Sequence, residues 1–174
     1  MLDIKQYVHV LKSYLAHPDK YAHLKQIGLF QDFNVFEMNL LNNCLHKRSY
    51  KAGELLYDKD YPLEMIFLIL QGRVEVEASY NPGMKRILSC NEFLGLIDMF
   101  YESVRSSSAR AITPVQALAV SKSDLEDLIR QNPKLGVKFL MNACKFFSEY
   151  IMDMGKPKEI NASEDAVPCE ETGR

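Results

Sequence analysis

Apolar positions at the start of the chain recur at helical spacing. Ile4, Val8, Leu11 and Leu15 follow one another by four, three and four residues, which predicts a helix within residues 2–28. His17 and Pro18 interrupt it, because proline cannot continue a helix. Tyr21, Leu24 and Ile27 suggest a second short helix ended by Gly28, and residues 35–46 read as helical again, with Phe36, Leu40, Leu41 and Cys44 on one side.

The period changes at Lys47. Up to about Val120, short β-rich runs are punctuated by Gly53, Gly72, Gly83 and Gly95 at intervals of 19, 11 and 12 residues, the spacing of many short antiparallel strands. Residues 65–70 are apolar on both faces, as in a fully buried strand. Beyond Gly72, Val74 and Val76 face one way and Arg73, Glu75 and Glu77 the other. Asn81, Pro82 and Gly83 predict a turn closing a hairpin between residues 74–80 and 84–89. Residues 115–120 form the last strand. Ser121 and Ser123 then offer N-cap oxygens to a helix carrying Leu125, Leu128 and Ile129, which Asn132 and Pro133 end.

A final helix over about 134–154 carries Val137, Leu140, Cys144, Phe147, Ile151 and Met154 at heptad spacing, a seam able to join a second copy. Phe139 and Phe146 lie off that seam, placed to cover the roll or a ligand base. Residues 155–174 are polar with two prolines and are expected to be disordered. The predicted class is α+β: an antiparallel β-roll (a double-stranded β-helix, jelly-roll-like) over about 47–120. A helical segment, 1–28, precedes it, and two helices over about 122–154 follow.

At 174 residues the chain fits one domain, and 47% hydrophobic content supplies a core without disulfide or metal. The 21 Lys and Arg nearly balance the 23 Asp and Glu; without residues 155–174 the body holds 18 of each. A neutral body lacks the electrostatic footprint of a nucleic-acid binder. The four cysteines are far apart, the start shows no basic flank before an apolar run, and no apolar stretch approaches the roughly 20 residues that cross a bilayer. A cytoplasmic protein with reduced thiols, off the membrane, is expected.

Enzyme signatures are missing. There is no Gly-x-Ser-x-Gly elbow, no phosphate loop ending in Lys-Ser/Thr and no dinucleotide fingerprint. His9, His17, His23 and His46 fall in the predicted helical part and none has a second histidine four residues on, so no metal and no catalytic residue is assigned. The informative stretch is 92–112, EFLGLIDMFYESVRSSSARAI. Gly95 opens a short apolar segment, and ten residues later Arg105 is followed by Ser106, Ser107 and Ser108. A buried phosphate needs these parts: a glycine for close backbone approach, free N–H groups at a helix start, and a permanently charged fork of donors. Small hydroxyl residues after the arginine leave space. Taken alone, Arg105 could equally be a solvated loop arginine or a partner of Glu102.

The chain resembles the cyclic nucleotide-binding domain family, shared by bacterial catabolite-activator regulators and protein kinase A regulatory subunits. The likeness covers about 27–154, so residues 29–154 read as one such domain. It includes Gly28-Leu29-Phe30, Ala52-Gly53-Glu54, the run from Ile66 to Val76, Glu92 to Gly95, Arg105 to Ala111, and Leu118-Ala119-Val120 leading to Asp124-Leu125 and Asn132-Pro133. The resemblance implies that Arg105 pairs with a cyclic phosphate, Ser106 offers its backbone amide, Ser107 lines that end of the pocket and Gly95 lies against the sugar. The family's glutamate, acceptor for the ribose 2′-hydroxyl, is replaced by Leu96, which has no acceptor, and Val104 stands where proline precedes the arginine. Asp98 is the nearest carboxylate able to turn inward instead.

Two functions follow as expectations. One is a non-enzymatic regulatory module that binds cyclic AMP, cyclic GMP or a related small anion weakly or atypically and signals through its C-terminal helix. The other is a degenerate domain that has lost nucleotide and acts as a protein-interaction scaffold. Either one engages an unidentified protein partner, through residues 1–26 or the last helix, and homodimerises if the heptad seam pairs. Only 20 residues follow Met154, too few for a helix-turn-helix domain, so nucleic-acid binding is not expected.

Overall fold

The computed structural model describes residues 4–5, 8–9, 11–12, 21–78, 83, 85–101 and 104–154. The six described positions before residue 21 are helical, with Ile4, Val8 and Leu11 exposed; His17, Pro18, Asn81, Pro82, Glu102 and the expected tail at 155–174 lie outside the described residues. The elements that follow are α1 (Ala22–Lys25), α2 (Val35–Asn43), β1 (His46–Tyr50), β2 (Leu55–Tyr57), β3 (Met65–Gln71), β4 (Val74–Ala78), β5 (Lys85–Leu88) and β6 (Phe93–Leu94). They continue with α3 (Leu96–Tyr101), β7 (Ser107–Ala111), β8 (Val115–Ser121), α4 (Lys122–Gln131) and α5 (Pro133–Met154). These form two compact units: Leu45–Asp124, and the described helical residues up to Cys44 together with those from Leu125 on.

The first unit is the expected antiparallel β-roll. Its strands form two four-stranded sheets, ordered β1-β8-β3-β6 and β2-β7-β4-β5. The doubly apolar run within β3 is buried on both faces, as Ile66, Phe67, Leu68 and Ile69 show. Between the sheets Phe67, Ile69, Val74, Leu88, Leu94 and Val115 pack against Ala109, Ala111, Ala117 and Ala119. Four alanines on β7 and β8 leave room for the larger side chains opposite them, the alternation a close-packed interior needs. The hairpin expected after Gly72 is present, with Val74 paired to Leu88 and Glu77 to Lys85. His46 opens β1 instead of closing a helix, because pairing with Ala119 claims its backbone.

In the helical unit, Asn34 accepts from the Phe36 and Glu37 amides at 2.9 and 3.0 Å, while the Glu37 carboxylate takes the Asn34 amide at 2.8 Å. This capping box starts α2. Met38 and Leu41 are the fully buried pair on α2, and Phe36, Leu40 and Cys44 are only half-buried, so the packed side is rotated from the expected one. Glu37 explains the rotation. Its carboxylate is buried and meets Lys138 Nζ of α5 at 2.7 Å, and a buried carboxylate needs that partner. Asn142 of α5 donates to the Leu29 carbonyl at 3.1 Å.

These two polar contacts lie along the α5 face that buries Leu135, Phe139 and Ala143. The heptad seam falls on another side: Val137 is 61% exposed and Ile151 66% exposed, with Leu140 and Cys144 also exposed. α4 starts as expected, with the Ser121 hydroxyl capping the Asp124 amide at 2.9 Å, and Pro133 is the first residue of α5, where its missing N–H is no loss. Cys44 and Cys144 carry free thiols. No helix among the described residues is long and apolar enough to cross a membrane.

Gly72 turns the chain between β3 and β4 at φ +92°, and a Cβ there would run into the Pro114 carbonyl oxygen. Gly53 has a similar φ of +85° with open space around it. Gly53→Ala is therefore expected to lose only the left-handed backbone penalty, on the order of 1 kcal/mol. Gly72→Ala adds the clash and should lose clearly more, read as a larger drop in the urea midpoint.

Candidate functional site

The site is assembled at the junction of β6, α3 and β7. β6 ends at Leu94, and Gly95 turns the chain at φ +82° into α3. Positive φ favours glycine there, and space requires it: a Cβ on Gly95 would fall on Arg105 Nη1 and lie 3.1 Å from Leu63 Cδ1. Gly95 and Arg105, which bound the cassette of this site ten positions apart in sequence, are thus brought into direct contact.

Arg105 sits just before β7. Its amide donates to the Tyr61 carbonyl at 2.8 Å and its carbonyl accepts from the Asp60 amide at 3.0 Å, which pins the backbone on both sides. Its side chain runs inward and is only 3% exposed. Nη2 donates to the Met65 carbonyl of β3. The guanidinium carbon lies 3.8 Å from the centre of the Tyr57 ring and 5.8 Å from that of Phe67, a cation held on an aromatic face. Nε and Nη1 are buried and have no hydrogen-bond partner among the described residues.

The electrostatics follow from that burial. Desolvation pushes the Arg105 pKa down, opposed by Tyr57, Asp98, Tyr50 and Glu64 nearby. Arginine starts so high that it stays a cation at neutral pH. Burial likewise raises the Tyr57 pKa, against a hydrogen bond from Ser107 and the charge of Arg105; the two hydroxyl oxygens are 3.4 Å apart. A buried donor without an acceptor costs about 1–3 kcal/mol, and more when charged. Two such donors on one guanidinium leave it chemically able to serve an acceptor, such as an anion.

The other candidates divide into two groups. Asp98, on the first turn of α3, has turned inward and is 3% exposed, but its Oδ1 accepts from the Ser106 hydroxyl and, at 3.4 Å, from the Ser106 amide. Ser107 is buried beside Tyr57. Leu96 is buried too and offers no acceptor. The residues not anticipated are Tyr57, Leu63 and the Met65 carbonyl. Tyr57 is 48 positions from Arg105, and only the bulged pairing of β2 with β7, which sets Tyr57 opposite Ala109, brings it there. No local sequence signal carries that register.

The family model described as cyclic nucleotide-binding domain matches residues 47–132, a span holding every residue of this site. Over 120 residues the chain is 22% identical to the CRP-like cAMP-activated global transcriptional regulator of Mycobacterium tuberculosis, covering 67% of this chain and 54% of that protein. It spans about half or less of the length of the curated relatives it matches. A cyclic nucleotide-binding domain from Methylobacillus flagellatus KT superposes with a TM-score of 0.64 at 22% identity, covering 82% of this chain and 86% of that one. The regulatory domain of Toxoplasma gondii PKA, crystallised with cAMP, gives a TM-score of 0.60 at 11% identity over 76% of this chain and 48% of the other. Over residues 47–132, the stretch that carries most of the eight-stranded roll, the inward arginine and its glycine, the chain matches the cyclic nucleotide-binding domain family.

Proposed function

We propose that this domain is a non-enzymatic regulatory module that takes a cyclic nucleotide, cyclic AMP or cyclic GMP, in an atypical and weak site. The observation that carries the reading is the pair of unpartnered donors, Nε and Nη1, on the buried Arg105. A cyclic phosphate fits them because its oxygens accept from a guanidinium in a forked geometry. In this reading Arg105 anchors the phosphate, Ser106 and Ser107 line that end, and the backbone at Gly95 approaches the sugar. Leu96 supplies no acceptor for the ribose hydroxyl, which lowers affinity by about 1–3 kcal/mol, roughly one to two decades.

Signalling follows if ligand prefers one position of the helices that continue from β8, since equal affinity for both positions shifts nothing. The reading also places the protein in the cytoplasm, without nucleic-acid partners, and gives the exposed Val137–Ile151 side of α5 to a second copy. A second reading is favoured by Leu96 and by the Asp98 contact to Ser106: a degenerate domain that has lost nucleotide and serves as a scaffold for a protein partner.

Calorimetry with cyclic AMP and cyclic GMP separates the two. Wild type should bind, Leu96→Glu should bind roughly ten- to a hundredfold tighter, and Arg105→Met should not bind. Arg105→Met should also keep or raise the melting temperature of the ligand-free protein, because it removes two unpaired buried donors. Binding gained only by Leu96→Glu identifies a disabled site, and no binding by any variant supports the scaffold. For the seam, light scattering should return a dimer that Leu140→Glu reduces to a monomer; a monomeric wild type removes that part of the reading.

A further inference from the structure

The least expected contact in the cassette is made by Asp98. Ser106 follows Arg105 directly, and its amide and hydroxyl are the two donors that flank the guanidinium on the chain. Both point at one carboxylate oxygen, Asp98 Oδ1. That carboxylate is 3% exposed, so water does little to screen its charge. It does not satisfy the guanidinium either, since Arg105 Nη2 goes to the Met65 carbonyl while Nε and Nη1 have no hydrogen-bond partner among the described residues.

A carboxylate and one edge of a phosphate present the same thing to a donor: two oxygens sharing negative charge. The serine hydroxyl has a single proton to donate. It cannot serve Asp98 and a ligand oxygen together. A second anion brought to these donors also meets the charge of Asp98 at close range in a poorly screened interior. The charge of Asp98 supports the cationic form of Arg105, and by the same field it weakens the pull of that cation on any incoming anion.

We propose that Asp98 is a built-in competitor for the anion: its carboxylate holds the Ser106 donors in the ligand-free chain, must be displaced for a cyclic phosphate to reach them, and sets the affinity of the site. This rests on the reading of the cassette as a cyclic nucleotide site. It assigns the weakness of that site to the phosphate end as well as to the missing ribose acceptor at Leu96. A cyclic nucleotide with its phosphate intact is the ligand class disfavoured; an uncharged nucleoside is not.

The test is titration of the full chain with cyclic AMP and, separately, with uncharged adenosine, for wild type, Asp98→Asn and Asp98→Ser. Circular dichroism checks that each variant is folded, and the smaller Asp98→Ser stands in if the isosteric change fails. Both variants should bind cyclic AMP at least tenfold tighter than wild type with adenosine affinity unchanged, and the gain should vanish when Arg105→Met is added. A silent wild type with binding restored by either Asp98 variant supports the proposal equally. Unchanged or weaker cyclic AMP binding by folded Asp98 variants overturns it. If Leu96→Glu still binds in that case, the cassette reading survives alone, whereas silence from all of these variants removes the cassette reading as well.

Discussion

A cation inside an apolar roll is the constraint around which this structure is arranged. An isolated charge taken from water into a protein interior is penalised by several kcal/mol, and Arg105 is almost wholly enclosed. The roll meets that penalty with the Met65 carbonyl, the faces of Tyr57 and, farther off, Phe67, and the nearby charge of Asp98. None satisfies the whole fork. The backbone of Arg105 is held from both sides by Tyr61 and Asp60, and Gly95 gives up its Cβ so that the guanidinium can lie against the chain. Natural cores leave few buried polar groups unpaired, and the two unpaired donors of Arg105 are the exception on which the proposed ligand reading rests.

The same constraint orders the neighbouring residues. Tyr57 comes from β2 and Ser107 from β7, and their strands pair, so the ring that covers the guanidinium and the serine that borders it are fixed by one ladder. Met65 belongs to β3 in the other sheet. The Arg105 side chain therefore touches both sheets, by a hydrogen bond to β3 and by lying on the ring of β2. β8 leads directly into α4.

Much of this was legible in the sequence, and the failures are instructive. The doubly apolar run in β3, the alternation after Gly72 and the proline at the start of α5 each carry a local physical signature, and each element stands where that signature puts it. Arg105 and Gly95 were legible as a pair because their spacing is a property of the chain. Tyr57 was not, because strand register across 48 residues leaves no local trace. The packed side of α2 was misplaced because hydrophobicity alone ranks Phe36 and Leu40 above Glu37, whereas the buried carboxylate is held in by Lys138, 101 positions away. Asp98 was read only as the nearest carboxylate able to turn inward in place of the missing glutamate. It does turn inward, but the hydroxyl of Ser106 lies closer at hand and takes its oxygen.

The central claim is that Arg105 Nε–H and Nη1 are donors reserved for an anion. It is tested most directly by following the Nε–H resonance of Arg105 in a 15N-labelled chain, assigned by its loss in Arg105→Lys, as cyclic AMP is added. The account predicts a saturable downfield shift of that resonance and slowed exchange of its proton with water. An Arg105 resonance that stays in place while other amides in the roll shift to saturation would contradict it.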